Sequence, residues 1–72
     1  MQQRSRDTTI YYETADSITL IEDVDDIDFF LFERESLART MGYTPIKNKD
    51  KTLDIFDEDE LVGTYFHKQH LN

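Results

Sequence analysis

Sixteen carboxylates and two imidazoles are the groups in this 72-residue chain best equipped for chemistry, and their spacing decides which chemistry. Two clusters dominate. Glu22, Asp23, Asp25, Asp26 and Asp28 put five acids in seven residues, and Asp54, Asp57, Glu58, Asp59 and Glu60 do the same. A helix-loop-helix calcium loop needs D-x-[DN]-x-[DN]-G with a Glu at its twelfth position. Counted from Asp57, Asp59 fits the third position, but Leu61 takes the fifth and Val62 takes the place of the glycine. Counted from Asp23, Asp25 fits, and Ile27 and Asp28 then break the pattern. His67 and His70 form an H-x-x-H that on a helix would share one face and take a transition metal. That segment, FHKQHLN, is terminal and polar. Neither a metal site nor a cofactor is expected.

The other routes to catalysis fare no better. There is no cysteine, and neither Ser17 nor Ser36 sits in a G-x-S-x-G elbow. Paired carboxylates need a cleft that raises the pKa of one of them, and a domain this small offers little depth. With two glycines in all, no glycine-rich loop exists to cradle phosphates. A non-enzymatic protein is expected.

Charge narrows the partners. The net charge is −8 and the pI about 4.4. Residues 1–6 carry +2, residues 7–39 carry −8 and residues 40–72 carry −2, with one short basic stretch, KNKDK, between the clusters. Binding nucleic acid or an anionic membrane requires Lys and Arg to neutralise phosphates. Direct contact with either is therefore not expected, whereas a basic protein partner is favoured. Local causes also put acids at these places, since Asp caps helices, suits turns and keeps a small domain soluble.

One domain is expected over residues 8–68, with a disordered tail at 1–7 and a frayed end at 69–72. The start, MQQRSRDT, has no apolar core of a secretory signal, and no apolar run reaches the roughly 20 residues that span a bilayer. A cytoplasmic protein, in the host cytosol if viral, is the expectation. Thr8–Glu13 and Ile18–Asp23 are β-prone runs around an Ala15-Asp16-Ser17 turn. Thr52–Phe56 and Leu61–Phe66 flank Asp57-Glu58-Asp59-Glu60 and predict a second hairpin. Between the hairpins, Asp26–Met41 opens on acids and ends at Gly42, as a helix should. Ile27, Phe30, Leu31, Leu37, Ala38 and Met41 would share one face of it, with Arg34 inside that stripe and Phe29 and Phe32 opposite. A rival reading makes Ile27–Glu33 a third strand, paired to Ile18–Asp23, and leaves only Glu35–Met41 helical. The capping signals at both ends favour the long helix. Glu35–Pro45 also resembles the first helix and turn of a helix-turn-helix, but no apolar recognition helix follows.

Both readings give a two-layer α+β domain: a small antiparallel sheet of two hairpins with one helix on one face, ββαββ, or βββαββ in the rival reading. Strand alternation sets Ile10 and Tyr12 against Tyr11, and Leu61 and Tyr65 against Val62 and Phe66. One helix covers one face, so an apolar patch remains, either on the bare face or at Phe29 and Phe32. Such patches mark contacts with other chains. Tyr11, Phe29, Phe32, Tyr65 and Phe66 are the aromatic candidates.

Three functions fit these residues. The first is an inhibitor that occupies the basic nucleic-acid-binding surface of a partner, presenting the ten clustered acids where phosphates would go. Small acidic inhibitors of phages and mobile elements, anti-CRISPR and anti-restriction proteins among them, are similar in composition. The second is a structural or adaptor subunit that docks or homodimerises through the aromatic surface. The third is an antitoxin or immunity-type protein with the electrostatics of the first.

Overall fold

A computed structural model of the chain describes residues 8–69; the expected tail at 1–7 lies outside them. In chain order the elements are β1 (Thr8–Glu13), β2 (Ile18–Val24), α1 (Ile27–Thr40), β3 (Thr44–Lys47), β4 (Leu53–Asp57) and β5 (Glu60–Gln69). The strands form one antiparallel, open sheet in the order β2-β1-β5-β4-β3, and α1 packs on one face of it. The architecture is the α+β sandwich that the sequence predicts, with one more strand, β3. Thr44–Lys47 gives only four residues and a proline, too short a run to stand out. Pro45 is tolerable there because β3 is an edge strand. Its formation also ends the likeness of Glu35–Pro45 to a helix-turn-helix.

The helix reading holds over its strand rival, for reasons visible at each end. The Asp26 carboxylate accepts from the Phe29 N–H at 3.1 Å, an N-cap worth about 1 kcal/mol. Asp28 in the first turn and Arg39 in the last suit the helix dipole. After Met41, Gly42 takes φ 91°, a left-handed conformation that side chains resist. The Tyr43 N–H then reaches the Ala38 carbonyl (2.8 Å) and the Gly42 N–H that of Arg39 (3.0 Å), the paired bonds of a Schellman motif.

The core is small. Ile10, Phe30, Leu31, Ala38, Leu53 and Ile55 are buried, with Tyr12, Ile21, Val24, Ile27, Tyr43 and Tyr65 packed around them. Leu37 and Met41, read from spacing as core, are 49% and 62% exposed. The helix packs on the sheet through Phe30, Leu31 and Ala38, while Leu37 and Met41 border a cavity at its C-terminal end. Arg34, the cation in the apolar stripe, lies over aromatic rings: its Cζ is 4.8 Å from the Phe30 centroid and 5.5 Å from that of Tyr65. Such stacking lets a guanidinium share an apolar face.

Two bulges break the simple alternation. In β2, Ile10 pairs with Glu22 and Tyr11 with Leu20, so Ile21 is the extra residue and packs toward the helix. In β5, Ile55 pairs with Gly63 and Phe56 with Leu61, leaving Val62 extra. The expectation that Leu61 shares the Tyr65 face is corrected by that bulge, which sets Leu61 opposite Phe56. β5 also extends through Gln69, one residue past the expected end of the domain. Among the described residues no helix is long and apolar enough to cross a membrane.

Candidate functional site

The first acidic cluster is built where β2 runs into α1. Glu22 and Asp23 end the strand, Asp25 and Asp26 make the turn, and Asp28 opens the helix. The β2 bulge brings Glu22 onto the helix side, opposite Ile10. A hollow of about 210 Å³ lies there, lined by Glu22, Asp23, Asp25, Asp26 and Glu33, with Phe29 and Phe30 as its apolar wall. No Lys or Arg lines it. Phe29 stands 58% exposed at its side. A cavity walled by acidic residues and one open aromatic ring suits a Lys or Arg side chain, whose charge meets the acids while its stem or guanidinium plane covers the ring.

Not all five clustered acids serve this hollow. Asp23 accepts from the Thr9 hydroxyl at 2.7 Å, tying β2 to β1. Asp26 caps the helix. Asp28 faces away, to the β3–β4 turn, where Lys51 Nζ lies 3.2 Å and Lys47 Nζ 3.7 Å from its oxygens. The hydrogen bond from Lys51, with the charges of both lysines, holds the Asp28 carboxyl below its usual pKa. Asp50 in the same turn is also held low, chiefly by the hydrogen bond from the Thr52 hydroxyl (2.7 Å). The basic stretch KNKDK is thus partly spent within the fold.

The second cluster splits too. Asp54 lies within the sheet, accepting from the Thr64 hydroxyl at 2.8 Å and from Asn48 Nδ2 at 3.0 Å. Asp57, Glu58, Asp59 and Glu60 are exposed at the β4–β5 turn, where Asp57 pairs directly with Glu60 and Glu58 takes φ 59°. Like charges directly opposite one another in a hairpin are destabilising. β5 separates this tip from the hollow. Its ten residues span about 30 Å at the usual rise, so the clusters form two ends rather than one surface. Nor do the acids alternate along a strand, and no regular negative row forms.

The five aromatic candidates divide among three places. Tyr11 and Phe66 stack on the bare sheet face, with centroids 5.3 Å apart and planes at 15°. Leu20 pairs with Tyr11 on that face, and Phe56 and Ile46 belong to its far side. Phe29 and Phe32 point outward from the helix, 58% and 60% exposed. Tyr65 is not on the bare face: it lies between sheet and helix, edge-on to Phe30 at 5.9 Å.

His67 is in β5, not on a helix, so the geometry imagined for H-x-x-H does not arise; His70 lies outside the described residues. The His67 Nδ1 atom is buried without a partner, and Nε2 lies 3.4 Å from the Asp50 carbonyl oxygen. Among the described residues no group of three or more His, Asp or Glu side chains is placed to hold a metal ion. Glu33 is the acid of the hollow that lies outside both clusters, five residues past Asp28; its place about two turns into the helix is the signal that finds it. No family model, curated protein or solved structure matches the chain.

Proposed function

We propose that this chain is a non-enzymatic protein-binding module that engages a basic partner through the acidic hollow between β2 and α1. The observation that carries this reading is the hollow itself: five acidic residues in its lining, of which Asp23 and Asp26 also accept hydrogen bonds within the fold, no lining cation and an open phenyl ring. An arginine or lysine of the partner would fill it. The acidic β4–β5 tip adds a second contact about 30 Å away along β5, where a cation from the partner would relieve the repulsion between Asp57 and Glu60. The most concrete form is an inhibitor that covers the nucleic-acid-binding surface of a cytoplasmic enzyme, as anti-CRISPR and anti-restriction inhibitors of phages and mobile elements do. An antitoxin or immunity-type protein would use the same contacts.

Titration against a panel of basic nucleic-acid-binding proteins at rising salt, with duplex DNA as competitor, tests the proposal. Glu22→Lys with Glu33→Lys reverses charge at two exposed side chains, so the fold is kept. Expected are binding that weakens with salt, competition by DNA and at least about tenfold loss in the reversed variant. Binding indifferent to salt and to the reversal would overturn it.

A second reading has its own observation. Tyr11 stacked on Phe66, with Leu20 beside them, gives the bare sheet face an apolar centre suited to docking or homodimerisation. Sedimentation against concentration separates the two: self-association lost in Tyr11→Ser with Phe66→Ser supports the adaptor, and a strict monomer excludes the homodimer.

A further inference from the structure

At the C-terminal end of the helix is a second cavity, of about 200 Å³ and with the opposite character. Its walls are Leu37, Ala38, Met41, Ile55 and the rings of Tyr12, Tyr43 and Tyr65, and its one charge is Arg34. No Asp or Glu lines it, in a chain with sixteen of them. We infer that this cavity is a binding site for a small aromatic carboxylate, with its ring among the aliphatic and tyrosine side chains and its carboxylate on the Arg34 guanidinium.

Four features support this. The first is size: a dry cavity of about 150 Å³ takes benzene, so this one has room for a ring with one small substituent. The second is the state of Arg34. Its Cζ lies over the Phe30 and Tyr65 rings, and among the described residues it has no carboxylate partner. A guanidinium held by cation–π contacts alone keeps its N–H groups for an acceptor, and paired N–H bonds to a carboxylate are the geometry it prefers. The third is the trio of phenols. Burial, with Tyr65 and Tyr43 close by, raises the Tyr12 pKa, so its hydroxyl stays a neutral donor that does not repel an anion. The fourth is construction. The Schellman motif fixes the Tyr43 backbone beside Ala38, and Gly63 leaves the space in which the Tyr12 ring lies, so the backbone makes room for two of the walls.

The test is a ¹H–¹⁵N chemical-shift titration of the full chain with benzoate and, separately, with its neutral isostere benzamide. Salt is kept high enough to screen the net charge. Expected are shifts centred on Leu37, Met41 and Tyr43, and benzoate binding at least about tenfold tighter than benzamide, the increment of a charge-assisted hydrogen bond. Arg34→Gln brings benzoate down to the benzamide level and leaves benzamide unchanged. The benzoate–benzamide comparison uses the unaltered chain, so it decides the matter even if Arg34→Gln does not fold. Equal affinity for the two probes, no shifts with either, or shifts centred on the Lys47–Lys51 turn would overturn the inference.

Discussion

Gly63 offers the sharpest check on how the sheet and helix layers meet. A Cβ built at this position would overlap the hydroxyl oxygen and Cζ of Tyr12 and come within 2.8 Å of its Cε1. Gly63→Ala therefore forces the Tyr12 ring off its seat. The ring then loses its tilted contact with Tyr65, now at 4.5 Å between centroids, a pairing worth about 0.5–1.5 kcal/mol. Part of its apolar cover goes as well, about another 1 kcal/mol for a half-buried ring. Against this, alanine in place of glycine in a strand gains about 0.5–1 kcal/mol from the unfolded chain. The net expectation is a loss of about 0.5–2 kcal/mol by this sum. In a Tyr12→Leu background the colliding phenol atoms are gone, so the same change becomes mildly stabilising. The coupling between the two sites is then about 2 kcal/mol, well above the few tenths seen for independent positions. Tyr12→Phe removes only the hydroxyl and keeps Cζ and Cε1, so it restores part of the loss. Urea denaturation followed by far-ultraviolet circular dichroism on the four corners of the cycle measures this, with equal m-values as the control. Additive effects, or a Gly63→Ala chain more stable than the parent, would refute the placement of Tyr12 over Gly63.

Two more predictions follow from the same geometry. Leu31→Ala and Leu53→Ala, at fully buried positions, each cost about 2–5 kcal/mol, whereas Phe29→Ala and Phe32→Ala on the outer helix face stay within about 0.5 kcal/mol; equal costs in thermal melts would show that the helix is turned differently. Asp28 has its carboxyl held low by Lys51, so its contribution to stability is present above the ordinary value of 3.8 and is lost as pH falls through the lowered folded pKa. Asp28→Asn should flatten that acid limb in urea midpoints measured down the pH scale, and an unchanged limb would show that the Lys47 and Lys51 contacts do not hold in solution.

Much of this architecture was legible because local chemistry and tertiary outcome agree. The β-branched and aromatic runs at Thr8–Glu13 and Ile18–Asp23 become a hairpin, and the acids at Asp57–Glu60 become a turn. Asp26 and Gly42 bound the helix as their side-chain and backbone chemistry requires. What was not legible depends on single insertions and on contacts remote in sequence. The Ile21 and Val62 bulges reset which side chains face the helix, and no residue type announces a bulge. Leu37 and Met41 have the spacing of core residues, yet spacing cannot say that an open cavity lies beside them.

The sequence by itself determined the net charge of −8, the two acidic clusters, the two hairpins and the helix with its caps. Each of these is a property of residues within one or two turns of one another, where propensity and electrostatics act locally. Tertiary structure alone decided what the charges and rings do together. It directed Asp28 to Lys47 and Lys51 and Asp54 into the sheet, and it added Glu33 to the acids around the hollow. It also took Tyr65 from the bare face and gathered it with Arg34, Tyr12 and Tyr43 around an acid-free cavity. Those placements depend on strand register and on how one short helix crosses a twisted sheet, which no local interaction specifies.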